Sequence, residues 1–386
     1  MKAVEIKKGI YWVGAIDWGI RNFHGYLTRK GSTYNAYLVI DEKITLIDTV
    51  KGYLADEMIQ RISSVIDPSK IDYVVCNHVE MDHSGAMPQI MEIAKNATVI
   101  TCPNGDKGLK AHYKKDWNCK IVKTGDAISL GNRNLNFVLT PMVHWPDNMV
   151  AYMPEEKILF SNDAFGQHYA SSERFDDECP LEVIMEQAAN YYANIVMPYG
   201  MQVNKALQES APLEIEMIAP SHGIIWRSHA KEVVAAYAKW VSNQPEKKAL
   251  IVYDTMWNST EIIGKMITEA FEEKGYKYIV MNLQNNHISD IMQEVLMAEY
   301  VCVGSPTLNN GIMPTVAAFL AYLKGLSPKK RKAIAFGSYG WGGQSVGMVE
   351  EALKDSGFEV IESIKLQYVP DEKDLVAAKT RILEKI

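Results

Sequence analysis

Nothing in this sequence pairs its cysteines. The five (Cys76, Cys102, Cys119, Cys179 and Cys302) are odd in number and none stands in a C-x-x-C pair, so no disulfide framework, rubredoxin-type site or iron–sulfur cluster is expected. Cys76, Cys102 and Cys302 lie in or beside strand-like runs, where a thiol packs as a small hydrophobe. Long apolar runs are missing too: none reaches the ~18 residues that would cross a bilayer. The amino-terminal stretch breaks its apolar character at Asp17 and no small-residue cleavage site follows, so a cytoplasmic protein away from membranes is expected. Basic charge is also short. The formal net charge of −7 argues against a nucleic-acid binder, which needs clustered Lys and Arg for phosphate contacts. No fixed-period repeat and no low-complexity tract occurs. With 47% hydrophobic and 23% charged residues, composition excludes a disordered or fibrous chain.

What is present is enough chain for two domains: 386 residues against a prior of roughly 100–200 per domain. A polar, proline-containing stretch at 241–248 separates a helix-like run from an apolar one, and sets domains of 1–245 and 246–386. Beyond it, apolar runs at 249–253, 278–281, 300–304, 333–337 and 360–364 alternate with helix-like segments. Five βα units imply a doubly wound parallel sheet covered on both faces, with ligands outside the carboxyl ends of its strands. Before the boundary, β-branched runs at 34–40, 44–47, 73–75, 98–101 and 137–140 mix with helical stretches near 55–66, 87–94 and 180–197, which fits an αββα layering.

Residues 77–85, Asn-His-Val-Glu-Met-Asp-His-Ser-Gly, follow an apolar strand and precede a helix, so four metal-ligating side chains converge at a strand end. In an extended segment His78 and Glu80 point the same way, while a turn at Asp82 and His83 aims that pair at a second ion. Three further candidates stand in loops after strand-like runs: His144, Asp163 and His222. Grouped, they give each of two ions two histidines, one carboxylate of its own and a share in Asp163, a set that suits non-haem iron. Two divalent ions opposite three carboxylates are close enough to charge balance to be buried.

On these residues the segment resembles the metal motif of the metallo-β-lactamase superfamily, with Glu80 where zinc hydrolases carry a second histidine. That variant, H-x-E-x-D-H, is similar to the flavodiiron proteins, and Asp48 in Thr-Leu-Ile-Asp-Thr resembles the superfamily's early structural aspartate. The resemblance implies that His24 lies close to the iron pocket without being a ligand, with Tyr199 a second candidate there, where a donor would orient bound dioxygen or a nitrogen oxide. His112, His168, His229 and His287 read as ordinary surface or hydrogen-bonded residues.

The second domain carries three loops at strand ends. In the first, the hydroxyls of Thr255, Ser259 and Thr260, with backbone N–H groups at a helix start, make an anion cradle of phosphate size. It resembles a flavodoxin phosphate loop, with Met256 in the candidate set and departures at Trp257 and Asn258, though Asn tolerates a positive φ. Being neither a Walker loop nor G-x-G-x-x-G, it disfavours ATP and NAD. The others are Ser305, Pro306, Thr307, Leu308, Asn309, Asn310 and Gly311, and Ser338, Tyr339, Gly340, Trp341, Gly342 and Gly343. Their glycines let backbone approach a flat flavin ring, and Tyr339 or Trp341 can stack on it. FMN is the expected cofactor beside two irons.

The resemblance then implies an oxidoreductase of the A-type, in which FMN passes electrons singly to the irons and these reduce dioxygen or nitric oxide. No rubredoxin module or second flavin domain is seen, so the donor is expected to be external. Ala15-Ile-Asp-Trp-Gly19 and the loop with Trp257 look most like methanogen members that oxidise reduced coenzyme F-420; rubredoxin is the rival donor. Relatives of this kind imply a head-to-tail homodimer, or a tetramer built from it. From other classes, a zinc hydrolase and a non-catalytic oxygen sensor remain as alternatives.

Overall fold

Side-chain alternation along short strands builds the first sheet. In Tyr37–Val39, Thr45–Ile47, Tyr73–Val75 and Thr98–Thr101, the residues Tyr37, Val39, Ile47, Val75 and Ile100 enter one buried cluster, while Leu38, Leu46, Val74 and Val99 enter another. Successive Cβ atoms point to opposite faces, so a strand apolar at every position has both faces covered. The structure, a computed structural model, describes residues 1–386 as two compact units: Met1–Tyr191 with Tyr199–Ala238, and Tyr192–Pro198 with Lys239–Ile386.

In the first unit these strands belong to a seven-stranded sheet that is antiparallel at its amino-terminal edge and parallel from Thr45–Ile47 through Cys119–Ile121. A five-stranded sheet faces it: Phe137, Met149, Ala151, Phe160 and Ala219 pack into the shared cluster with Trp12 and Tyr37. Helices Ala55–Ser63, Met87–Ile93 and Pro103–Tyr113 bury Met58, Ile62, Met87, Ile90 and Leu109 on the outer side of the first sheet. Helices Gly200–Ser210 and Ala230–Val241 flank the second. The layering is αββα.

One expected strand is two. The run 34–40 breaks at Asn35 and Ala36, leaving Ser32–Tyr34 in a small sheet with Ala15–Asp17 and Tyr37–Val39 in the large one. The cause is the buried Asn35 side chain, which donates to the carbonyls of Pro220 (2.8 Å) and Gly223 (3.0 Å) and accepts from Trp12 Nε1 (2.8 Å). A buried amide so satisfied holds its own backbone out of the ladder.

The second unit has five parallel strands in the spatial order Lys277–Asn282, Glu246–Tyr253, Ala298–Gly304, Lys332–Tyr339, Glu359–Gln367. On one face Ile251, Cys302 and Ile334 pack with Ile263, Ile267, Phe271 and Ile382. Leu250, Val301, Ala333 and Ala335, pointing the other way, are buried as well. The strand order reverses between Glu246–Tyr253 and Ala298–Gly304, which opens a crevice at their carboxyl ends. No helix is long and apolar enough to cross a membrane.

Candidate metal and flavin sites

Four loops at the carboxyl ends of strands bring the metal candidates together, and a buried aspartate ties three of them. Asp48, at φ +56°, accepts from the backbone N–H and side-chain amide of Asn77 (2.8 and 3.0 Å), from Asn162 Nδ2 (3.3 Å) and from Ser221 Oγ (3.4 Å). Asn77, Asn162 and Ser221 immediately precede His78, Asp163 and His222. One carboxylate therefore fixes the take-off of three candidate ligands from three strands.

The seven predicted residues form two facing groups that meet at Asp163. His78, Glu80, His144 and Asp163 offer ligand atoms all within 4.8 Å of one another, as do Asp82, His83 and His222. His78 Nε2 and His144 Nε2 lie 3.7 and 3.4 Å from Asp163 Oδ2, and each lies 3.3 Å from Glu80 Oε2. His83 Nε2 and His222 Nε2 lie 3.0 and 3.4 Å from the other oxygen, Oδ1, and 3.4 and 3.3 Å from the two oxygens of Asp82. Asp163 thus turns one oxygen to each group.

The rings are aimed from behind. His78 Nδ1 sits 2.9 Å from Asp147 Oδ2, which also accepts the Val79 N–H at 2.7 Å, and His222 Nδ1 donates to the Thr33 carbonyl at 2.9 Å. Each leaves Nε2 toward the carboxylates, the arrangement usual behind metal-binding histidines. Burial opposes charge on these rings, yet the carboxylates win: Asp163 and Glu80 raise His144 to about 9, and Asp163 and Asp82 raise His222 to about 10. Burial alone would likewise raise Asp163, but His83, His144 and His222 hold it well below the ordinary carboxylate range.

Do these residues fit two metal ions? Both oxygens of Asp82, both oxygens of Asp163 and both ring nitrogens of His83 are buried without a hydrogen-bond partner. Six orphaned polar atoms in one buried cluster would be costly unless cations satisfied them. Charge that binds protons this tightly binds divalent cations by the same attraction, and the nitrogen and oxygen set suits iron. The fit is good.

Around the cluster the structure keeps one expected neighbour and replaces another. His24 Nε2 is 2.9 Å from Glu80 Oε1 with its side chain 72% exposed, so it lies on the solvent side of the cluster. Tyr199 stands at the start of helix Gly200–Ser210, and no ring contact joins it to the cluster histidines. Two buried tyrosines flank the cluster, Tyr34 and Tyr191, with ring centroids 5.5 and 5.8 Å from His222, and Tyr191 also lies 5.2 Å from His168. His168, read as ordinary, is buried 4.7 Å from the His222 ring and hydrogen-bonded to Ser32 Oγ at 2.7 Å.

At the second unit's crevice, Asn258 takes φ +66° and caps helix Ser259–Glu273, turning the helix start toward the first loop. Thr255 Oγ1 is buried without a partner, and Thr260 Oγ1 is 3.0 Å from Ser338 Oγ. An orphaned hydroxyl beside free helix N–H groups fits a phosphate. Above it opens a cavity of about 670 Å³ lined by Met256, Trp257, Ser259, Pro306, Thr307, Leu308, Asn309, Asn310, Ser338, Tyr339, Gly340 and Trp341, and also by Tyr368 and Val369, which the sequence reading missed. Ser305 and Gly311 serve the loop from outside the cavity. Ser305 Oγ accepts from Met313 N–H (3.0 Å), and Gly311 closes a turn with Leu308. Gly342 and Gly343, both at positive φ, turn the third loop without lining the cavity.

Residues 33–223 match the ODP family beta lactamase and residues 251–379 match flavodoxin. A nitric oxide reductase of Moorella thermoacetica is 47% identical over 379 residues, covering 96% of this chain and 95% of the relative. The rubredoxin-oxygen oxidoreductase of Megalodesulfovibrio gigas is 44% identical over 387 residues, covering 98% and 96%. The solved flavodiiron protein of Giardia intestinalis superposes with a TM-score of 0.96 at 35% identity, covering 100% of this chain and 96% of that one.

Proposed function

This chain belongs to the flavodiiron protein family, and on that premise we propose that it reduces dioxygen to water, and nitric oxide to nitrous oxide, with electrons from an external carrier. It is an oxidoreductase whose cofactors are FMN and two irons. The observation that carries the reading is Asp163, which offers one oxygen to each half of a buried seven-residue cluster. We assign His78, Glu80 and His144 to one ion, Asp82, His83 and His222 to the other, and Asp163 to both. When bound, two ferrous ions and reduced FMN together hold four electrons, the number that takes dioxygen to water without releasing partly reduced oxygen. Asp147 and the Thr33 carbonyl keep Nε2 of His78 and His222 toward the ions. His24, on the exposed side, orients Glu80 Oε1 and holds a proton at Nε2 within reach of that face.

For the donor, reduced coenzyme F-420 is the first reading. Trp257 and Trp341, 87% and 80% exposed at the rim of the flavin cavity, offer flat apolar faces to a planar deazaflavin. Rubredoxin is the second, supported by the name of the Megalodesulfovibrio relative. The working unit is a head-to-tail homodimer, or a tetramer of such dimers. The exposed Tyr53 and Met81 near the metal cluster and Trp257 and Trp341 at the flavin cavity are apolar rims that such pairing would cover.

One experiment separates these readings: oxygen uptake by the iron- and FMN-loaded enzyme with reduced F-420 or reduced rubredoxin. Uptake with F-420 and not with rubredoxin is expected. The reverse would overturn the donor assignment. Uptake with neither, nor with chemically reduced flavin, would overturn the oxidase, and zinc without iron in the purified protein would favour a hydrolase.

A further inference from the structure

At the root of the first flavin loop lies a carboxylate with no part in the proposed chemistry. Asp254 directly follows strand Glu246–Tyr253 and is fully buried. Its partners are three neutral donors: Oδ1 accepts the Thr255 N–H at 2.7 Å and Gln284 Nε2 at 2.6 Å, and Oδ2 accepts the Thr315 hydroxyl. A carboxylate is tolerated in the interior when its oxygens are satisfied in this way. Gln284 Nε2 also donates to the Thr255 carbonyl at 2.9 Å. Both backbone polar groups of Thr255 are therefore held, the N–H by Asp254 and the carbonyl by Gln284. The reach of Gln284 is set by its own backbone. The Leu283 N–H donates to the Tyr253 carbonyl and the Gln284 N–H to Asn282 Oδ1, both at 2.8 Å, which turns the chain after the edge strand Lys277–Asn282 toward the first loop. Thr315 stands in the first turn of helix Pro314–Leu326, just beyond the second loop. One carboxylate thus joins three segments of the crevice, as Asp48 does at the metal cluster.

We propose that Asp254 and Gln284 are positioning residues that make the crevice select a phosphorylated flavin over its unphosphorylated form, a role that rests on Thr255 facing the phosphate. What they remove is freedom. Thr255 Oγ1 is buried without a partner, and its direction follows from the backbone that carries it. Pinned at its N–H and at its carbonyl, Thr255 needs no ordering when a phosphate arrives, and its hydroxyl stands ready beside the N–H groups that open helix Ser259–Glu273. A carboxylate cannot itself attract an anionic phosphate, so what Asp254 contributes is position and not charge. Riboflavin, which has the ring and lacks the phosphate, gains nothing from the same order.

The test titrates FMN and, separately, riboflavin into the full chain, freed of flavin and with its iron retained, and follows flavin fluorescence. Asp254→Ala and Gln284→Ala should each weaken FMN binding by about tenfold or more and riboflavin binding by less than about twofold. Asp254→Asn keeps an acceptor for the Thr255 N–H, and the Thr315 hydroxyl can turn to accept from its amide, so most of the FMN affinity should return. Equal weakening of both flavins, or of neither, overturns the positioning role, and so does Asp254→Asn binding FMN as weakly as Asp254→Ala. Should Asp254→Ala fail to fold, Gln284→Ala, at an exposed position, is read against the same outcomes. Thr255→Ala separates the role from its premise. If that variant keeps the full preference for FMN over riboflavin, the phosphate does not lie at Thr255 and both readings fall. If it loses the preference while the Asp254 and Gln284 variants keep it, the cradle stands and the positioning role falls.

Discussion

Asp163 and Asp48 do different work at the scale of single residues, and their variants should fail differently. Asp163 has both oxygens buried without a hydrogen-bond partner, one toward each half of the cluster, so on the proposed assignment Asp163→Asn removes a charge that both ions would share. Iron content should fall and oxidase activity with it; stoichiometric iron alongside full activity would sink the bridging assignment. Asp48 touches no ion but holds Asn77, Asn162 and Ser221. Asp48→Ala strands those buried groups at a cost of about 1–3 kcal/mol each. It should lower the melting temperature even without metal, which thermal unfolding of the metal-free variant checks. The clustering of the candidate ligands was legible because four fall within six residues, where chain geometry alone sets direction. Tyr191, His168 and Asp147 were not, because their place beside the cluster comes from contacts across 31 to 69 residues of sequence.

The elements of the second unit bear on flavin binding. Thr255 Oγ1, buried and unpaired, stands where a phosphate oxygen would accept its hydrogen. A hydrogen bond to a charged group is worth about 1.5–3 kcal/mol, so Thr255→Ala should weaken FMN binding by about tenfold or more, measured by flavin fluorescence on titration. A variant that binds FMN as tightly as before would refute the cradle. Asn258, in the left-handed region, should accept Gly with little loss and Val only with strain, since a β-branched residue resists positive φ. The five strands were readable from apolar runs bounded by Gly, Ser and Asn, but their spatial order was not, since periodicity carries no information on which strands pair. Tyr368 and Val369 follow the last strand without a glycine or hydroxyl cluster to mark them, although the rule that ligands sit beyond strand ends applied there too. The break at Asn35 was hidden for a similar reason: its cause lies in the carbonyls of Pro220 and Gly223, far along the chain.

At the scale of the whole molecule the question is which flavin serves which irons. Each site occupies the carboxyl ends of the strands of its own sheet, and each has exposed aromatic surface near it, Tyr53 for one and Trp257 and Trp341 for the other. Large exposed aromatics beside a redox site would be covered by a second copy. In a two-fold pair the same two patches meet twice, so an antiparallel dimer would set each flavin against the partner's irons. The expectation is tested by mixing a chain deprived of iron, His78→Ala with His83→Ala, and a chain unable to hold FMN, under conditions that exchange subunits. If electrons cross between subunits, a mixed dimer contains one complete flavin and diiron pair, and dioxygen uptake returns to roughly half that of an unaltered dimer. If they stay within a chain, every chain lacks one cofactor and the mixture remains as inactive as its components. Iron and flavin contents of the mixture, measured alongside, ensure that recovered activity reflects pairing of the two sites and not exchange of cofactors between chains.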